Sequence, residues 1–87
     1  MYNATRAINT MNKYNLCASD VKDCVIRQGE KLISAVRITL DRLLSSDELA
    51  RISRDKHVIS HNEDGRPLVT FYRYAPEIQY SYLYVIC

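Results

Sequence analysis

Ser34-Ala35-Val36-Arg37-Ile38-Thr39-Leu40-Asp41-Arg42-Leu43-Leu44 is the stretch on which the reading of this chain turns. Val36, Leu40, Leu43 and Leu44 recur at spacings of three and four, the period of one helix face. That spacing predicts a helix over 34–45, with Ser34 as its N-cap. The opposite face then carries Ser34, Ala35, Arg37, Ile38, Asp41 and Arg42, with Thr39 at the border.

Upstream, Ser19 is a good N-cap for a helix over 20–28. Asp20 and Asp23 favour the first-turn dipole, and Val21, Cys24 and Val25 form the inward stripe. Gly29 can adopt the left-handed conformation that ends such a helix. Further back, Ala4, Ala7, Ile8 and Met11 predict a helix over 5–14. Downstream the period changes. Leu49, Arg51 and Ser53, then His57, Ile59 and His61, suggest extended chain. Asn62-Glu63-Asp64-Gly65 is a turn signal, strongest at Asp-Gly. Residues 68–74 are rich in β-branched and aromatic types and predict the second strand of a hairpin. In 78–87, Tyr80, Tyr82 and Tyr84 alternate with other residues, which predicts one more strand.

The chain has 87 residues, enough for one domain over 1–87 with a single core. Its net charge of +2 permits a nucleic-acid partner without demanding one. Cys17, Cys24 and Cys87 are an odd set without a close motif, so a disulfide framework is not expected and the three read as small apolar groups. There is no signal-peptide pattern and no apolar run of membrane-spanning length, so a cytoplasmic protein is expected. His57 and His61 could share a strand face, but no second ligand pair accompanies them, and neither a metal site nor a cofactor is expected. No nucleophile elbow, phosphate loop or catalytic carboxylate motif is present, so the chain does not read as an enzyme.

The predicted order is α+β: helix, helix, tight turn, helix and hairpin, with an additional C-terminal strand. It resembles the small winged helix-turn-helix regulators of bacteria and phages. The resemblance is carried by Ala18-Ser19-Asp20-Val21-Lys22, by 34–44 as recognition helix, by Asp47-Glu48-Leu49-Ala50-Arg51-Ile52 leading into the wing, and by 64–74 as the returning wing strand. No residue of the family pattern maps onto 75–87, an extension that reads as a dimerisation strand. The resemblance implies a sequence-specific regulator binding double-stranded DNA. Its recognition helix would enter the major groove with Ser34, Ala35, Arg37, Ile38, Thr39 and Arg42. Arg66 at the wing tip would meet the backbone or the minor groove, and Arg54, Lys56, Lys22 and Lys31 are further phosphate candidates. Tyr80, Tyr82 and Tyr84 would join two copies. The competing reading is a phage or mobile-element inhibitor or adaptor that blocks a host protein, since the same scaffold is reused for protein contacts.

Overall fold

Val36, Ile38 and Leu40 also alternate, with Arg37 and Thr39 between them, and Ile33, Val36, Ile38 and Thr39 are all β-branched. In the computed structural model, which describes residues 4–86, the alternation prevails over the helical spacing. The stretch forms a strand, β2 (Lys31–Leu40). The remaining elements are α1 (Ala4–Lys13), β1 (Ala18–Gln28), α2 (Ser46–Ile52), β3 (Val58–Ile59), β4 (Val69–Phe71) and β5 (Gln79–Ile86). The class is α+β, but the three-helix winged arrangement is overturned. Two short helices and a five-stranded antiparallel sheet stand in its place. Cys87 and the side chain of Ala4 lie outside the described residues.

The expected helix over 20–28 is strand β1, paired with β2 from Asp20↔Thr39 to Gln28↔Lys31. The reason lies in the connection. Gly29-Glu30 is a two-residue hairpin turn, and Gly29 has φ +62°. Glycine in the first central position is what a type II′ turn requires. The residue read as a helix stop is therefore a hairpin tip. Ser19 caps no helix either. It sits at an irregularity in the register, and its hydroxyl donates to the Thr39 carbonyl at 3.1 Å.

The sheet runs β1-β2-β5-β3, with β4 also beside β5. β5 is central: one edge meets β2 from Ala35↔Ile86 to Leu40↔Ser81. Its other edge is shared, β3 taking Val85 and Tyr84 and β4 taking Ser81, Tyr80 and Gln79. β3 and β4 thus act as two pieces of one broken strand. Residues 60–68 loop out between them, narrowed by the His61↔Pro67 bridge and a 2.7 Å bond from the Asn62 amide to the Arg66 carbonyl. The Asp-Gly turn lies at the tip of this loop, Gly65 with φ +82°. The expected hairpin is present as this excursion and not as a wing flanking a helix.

Alternation decides which face is buried. Val36, Ile38 and Leu40 of β2 and Leu83 and Val85 of β5 point to one side. There they form the core with Ala7 of α1, Leu16, Leu44, Ile52 of α2, and Val58. α1 ends in a Schellman motif. Asn15 is left-handed at φ +53°, the Leu16 amide donates to the Met11 carbonyl at 2.8 Å, and the Asn15 amide donates to Asn12 at 3.3 Å. Asn tolerates that backbone better than most residues, and Leu16 and Met11 close the end by apolar contact. Ile8, expected inward, is exposed.

Residues 49–52, expected extended, belong to α2. Ser45 and Glu48 form a capping box: the Ser45 hydroxyl accepts from the Glu48 amide, and Glu48 accepts from the Ser45 amide. Arg42 donates two bonds to the same carboxylate, at 2.8 and 2.7 Å. The Arg42 and Ser45 bonds hold the Glu48 pKa down to about 2, from an ordinary 4.5. A depressed carboxylate pKa contributes stability above its unfolded value, and the contribution is lost as pH falls through the folded value. Thermal melts should therefore show the wild type losing an increment between pH 4.5 and about 2 that Glu48→Gln lacks. At neutral pH, Glu48→Ala should cost about 1 kcal/mol, mostly as the lost acceptor for the Ser45 amide, because Arg42 is half exposed and the bond from the residue-48 amide to the Ser45 hydroxyl remains.

Candidate functional site

Both helices pack on one side of the sheet, so the residues alternating with the core residues form a second face without helices. It carries Asp20, Lys22, Cys24 and Ile26 of β1, and Ile33, Ala35, Arg37 and Thr39 of β2. β5 adds Tyr80, Tyr82, Tyr84 and Ile86, and β4 adds Thr70 opposite Tyr80. The register sets Arg37 between Lys22 and Tyr84.

Arg37 is the centre of this face. Its guanidinium carbon lies 5.2 Å from the ring centroid of Tyr82, a cation–π distance. Its Nε is buried and has no hydrogen-bond partner among the described residues. Tyr72 meets Tyr80 edge to face, with centroids 4.9 Å apart and planes at 69°. A hydrogen bond with Tyr72 raises the pKa of the Tyr80 hydroxyl above its ordinary 10.0, and desolvation adds to this. Between these groups is an open depression of about 440 Å³. Arg37, Thr39 and Tyr82 line its floor, Asp20 and Asp41 one side, and Thr70, Phe71, Tyr72, Arg73 and Tyr80 the other.

The rim is formed by the connection from β4 to β5. Phe71, Tyr72 and Tyr74 are exposed there, Tyr74 to 89%, and the Arg73 guanidinium lies 5.7 Å from the Tyr74 ring centre. Val69 and Ile78 are exposed on the flanking segments. Tyr72, Tyr80 and Tyr82 thus share one depression with Arg37 and Arg73, while Val69 and Phe71 alternate with Thr70 and point to the other side of β4. A second depression, of about 620 Å³, lies at the far end between the β1–β2 turn and the 60–68 loop.

The structure disperses the residues expected to form one DNA-reading face. Ile38 is fully buried on the helix side, and Ala35 is buried on the opposite side. Ser34 is exposed near the hairpin tip. Arg37 and Thr39 are half-buried on the helix-free face. Arg42 follows β2 and is engaged with Glu48. Arg54 and Lys56 are exposed after α2, and Arg66 is exposed on the 60–68 loop, 3.6 Å from Asp64. Of the expected set, the fold gathers only Arg37 and Thr39, and it joins them to Tyr80 and Tyr82. His57 is exposed, while the His61 Nδ1 is 2.8 Å from the Ser60 hydroxyl.

No protein-family model, curated protein sequence or solved structure matches the chain. The resemblance to winged helix-turn-helix regulators thus gains no support from relatives, and the fold lacks the helix that carried it.

Tyr72 and Arg73, together with Asp20, are site residues that the sequence reading did not propose. A signal for them existed. The alternation of Tyr80, Tyr82 and Tyr84 places three rings on one sheet face, and a strand paired with β5 must add side chains to that face. Chemically the arrangement offers flat aromatic surface, guanidinium donors and nearby carboxylates, without helices to cover them. No helix among the described residues is long and apolar enough to cross a membrane.

Proposed function

We propose that the protein is a binding module that docks a protein partner on the helix-free face of its sheet. The observation that carries this reading is the exposure of Tyr72 and Tyr74 beside Arg73, with Tyr72 and Arg37 lining one depression. Tyr, Phe and Arg are the types enriched where protein partners meet. Asp20 and Asp41 border the same depression and would oppose a phosphodiester chain, but they suit a polypeptide surface of mixed charge. The Arg37 guanidinium on the floor of the depression adds hydrogen-bond donors suited to a carbonyl or carboxylate acceptor. Regulation of transcription through a recognition helix has no counterpart in this reading, because residues 34–40 belong to a strand held between two neighbours.

The Arg37–Tyr82 and Tyr72–Tyr80 contacts give single-stranded nucleic acid a specific second claim, since bases stack on such platforms. The test sets the two classes against each other. Wild type and Tyr72→Ala/Tyr74→Ala are immobilised, and polypeptides retained from the producing cell are compared. In parallel, single-stranded and duplex oligonucleotides are titrated by fluorescence anisotropy. The proposal expects a polypeptide held by the wild type, released by the double variant, and retained from about 50 to about 200 mM salt. Oligonucleotide binding near micromolar that weakens steeply over that range would replace it with the nucleic-acid reading. Retention that ignores the tyrosine changes would remove this face as the binding surface.

A further inference from the structure

β1 is the longest strand and lies at the edge of the sheet, with β2 as its one strand neighbour among the described residues. A long open edge is a template for another strand, and proteins usually blunt it. The charges Asp20, Lys22, Asp23 and Arg27 are of the blunting kind, yet their order is also self-complementary. We propose that two copies of the chain pair through β1, antiparallel and centred on Val25, into one continuous sheet.

The backbone supports the pairing. A two-residue turn makes Gln28 and Lys31 a hydrogen-bonded closing pair, and such pairs then alternate along the hairpin. Even-numbered residues of β1 are therefore committed to β2. Asp23, Val25 and Arg27 aim their N–H and C=O groups at the open edge. A two-fold axis normal to the sheet keeps each face on its own side, so odd residues must meet odd residues.

Charge selects the register. Centring on Lys22 or on Asp23 sets like charges opposite each other. Centring on Cys24 opposes Asp23 to Val25 and forms no ion pair. Centring on Val25 opposes Asp23 of each copy to Arg27 of the other, twice by symmetry, with Val25 against Val25 between them. Centring on Val21 would oppose Lys22 to Asp20, but those two already lie 3.9 Å apart within one chain, and the irregularity at Ser19 interrupts the ladder there. The Val25 register also accounts for an exposed apolar residue. Val25 is 63% exposed on a stretch of the helix-side face that no helix covers, and pairing would cover it. On the opposite face, Cys24 would meet Ile26 of the second copy and extend an apolar row from Ala35 to Ile33. The two helix-free faces would then lie side by side, so a dimer would present the proposed docking surface twice. The pairing itself does not depend on that docking.

Sedimentation equilibrium over a concentration series tests this on the whole chain. The wild type should rise from 10.1 kDa toward twice that mass. Arg27→Asp sets like charges opposite each other in both symmetric pairs and should weaken the dimer by about tenfold or more. The exchange D23R plus R27D in one chain restores opposite charges and should recover the dimer. Circular dichroism checks that each variant is folded. Val25→Cys should give a disulfide-linked dimer under oxidation, because directly opposed strand residues lie within disulfide reach. A mass fixed at 10.1 kDa at the highest concentration overturns the proposal. So does a dimer that ignores the charge exchange, or one abolished only by changes at Tyr80, Tyr82 or Tyr84.

Discussion

Ile38→Asp is expected to leave the chain unfolded at room temperature. Ile38 is fully buried in mid-β2, with Val21 opposite on β1 and Leu83 opposite on β5. Truncation alone, Ile38→Ala, should cost about 3 kcal/mol through lost burial and the cavity left behind. A carboxylate there has no partner, and its desolvation adds several kcal/mol more. A chain of this size has only about 5–15 kcal/mol of total stability. Urea titration followed by circular dichroism measures the alanine variant, and the aspartate variant should show no cooperative transition. The comparison is sharp because a recognition helix would place Ile38 in solvent, where such changes usually stay within about 0.5 kcal/mol. Ser34→Asp, on the same face but exposed, should be tolerated. A folded Ile38→Asp protein would contradict the strand register on which the helix-free face depends.

The second large effect is expected at Asp55. Its carboxylate accepts from the Tyr14 hydroxyl at 2.9 Å and the His57 amide at 3.0 Å, and Lys13 lies 3.4 Å away. It therefore ties the end of α1 to the segment that leads into β3. Only 12% of the side chain is exposed, whereas Lys13 is largely in solvent and adds little. Asp55→Ala leaves the partly buried Tyr14 hydroxyl and the His57 amide without that acceptor, and should cost about 2–3 kcal/mol. Asp55→Asn keeps an acceptor oxygen and should cost less. The His57 amide is the largest cause holding the Asp55 pKa below its ordinary 3.8, with Tyr14 and Lys13 assisting. The linkage sign follows from that depression. The stabilisation is complete above the unfolded value and fades as pH falls through the folded one. The gap between wild type and Asp55→Asn should thus narrow in acid, as read from melts across pH. A constant gap would show that the carboxylate charge contributes nothing.

Asp55 and Ile38 show where the sequence was legible and where it was not. The first helix was readable because Ala7 and Met11 sit on one local face and nothing competes with that period. The turn at Asp64-Gly65 was readable because glycine there satisfies a backbone requirement. The Ser45-to-Glu48 capping box was also present in the sequence, and it would have located α2. Residues 34–44 carried two periods at once. Leucines at 40, 43 and 44 fit a helix with Val36, while Val36, Ile38 and Leu40 fit a strand. The β-branched residues among them were the local hint for the strand.

By itself, then, the chain determined its class, its first helix, the Asp64-Gly65 turn and the alternation of tyrosines near its end. Tertiary structure decided that 20–40 is a hairpin, because β2 gains partners on both edges only when β1 and β5 lie beside it. It also decided that Arg37 meets Tyr82, and Tyr72 meets Tyr80, to shape one surface. The Arg37–Tyr82 contact joins residues far apart in sequence, and the spacing of both contacts follows from strand register, a property of paired strands that no single segment encodes.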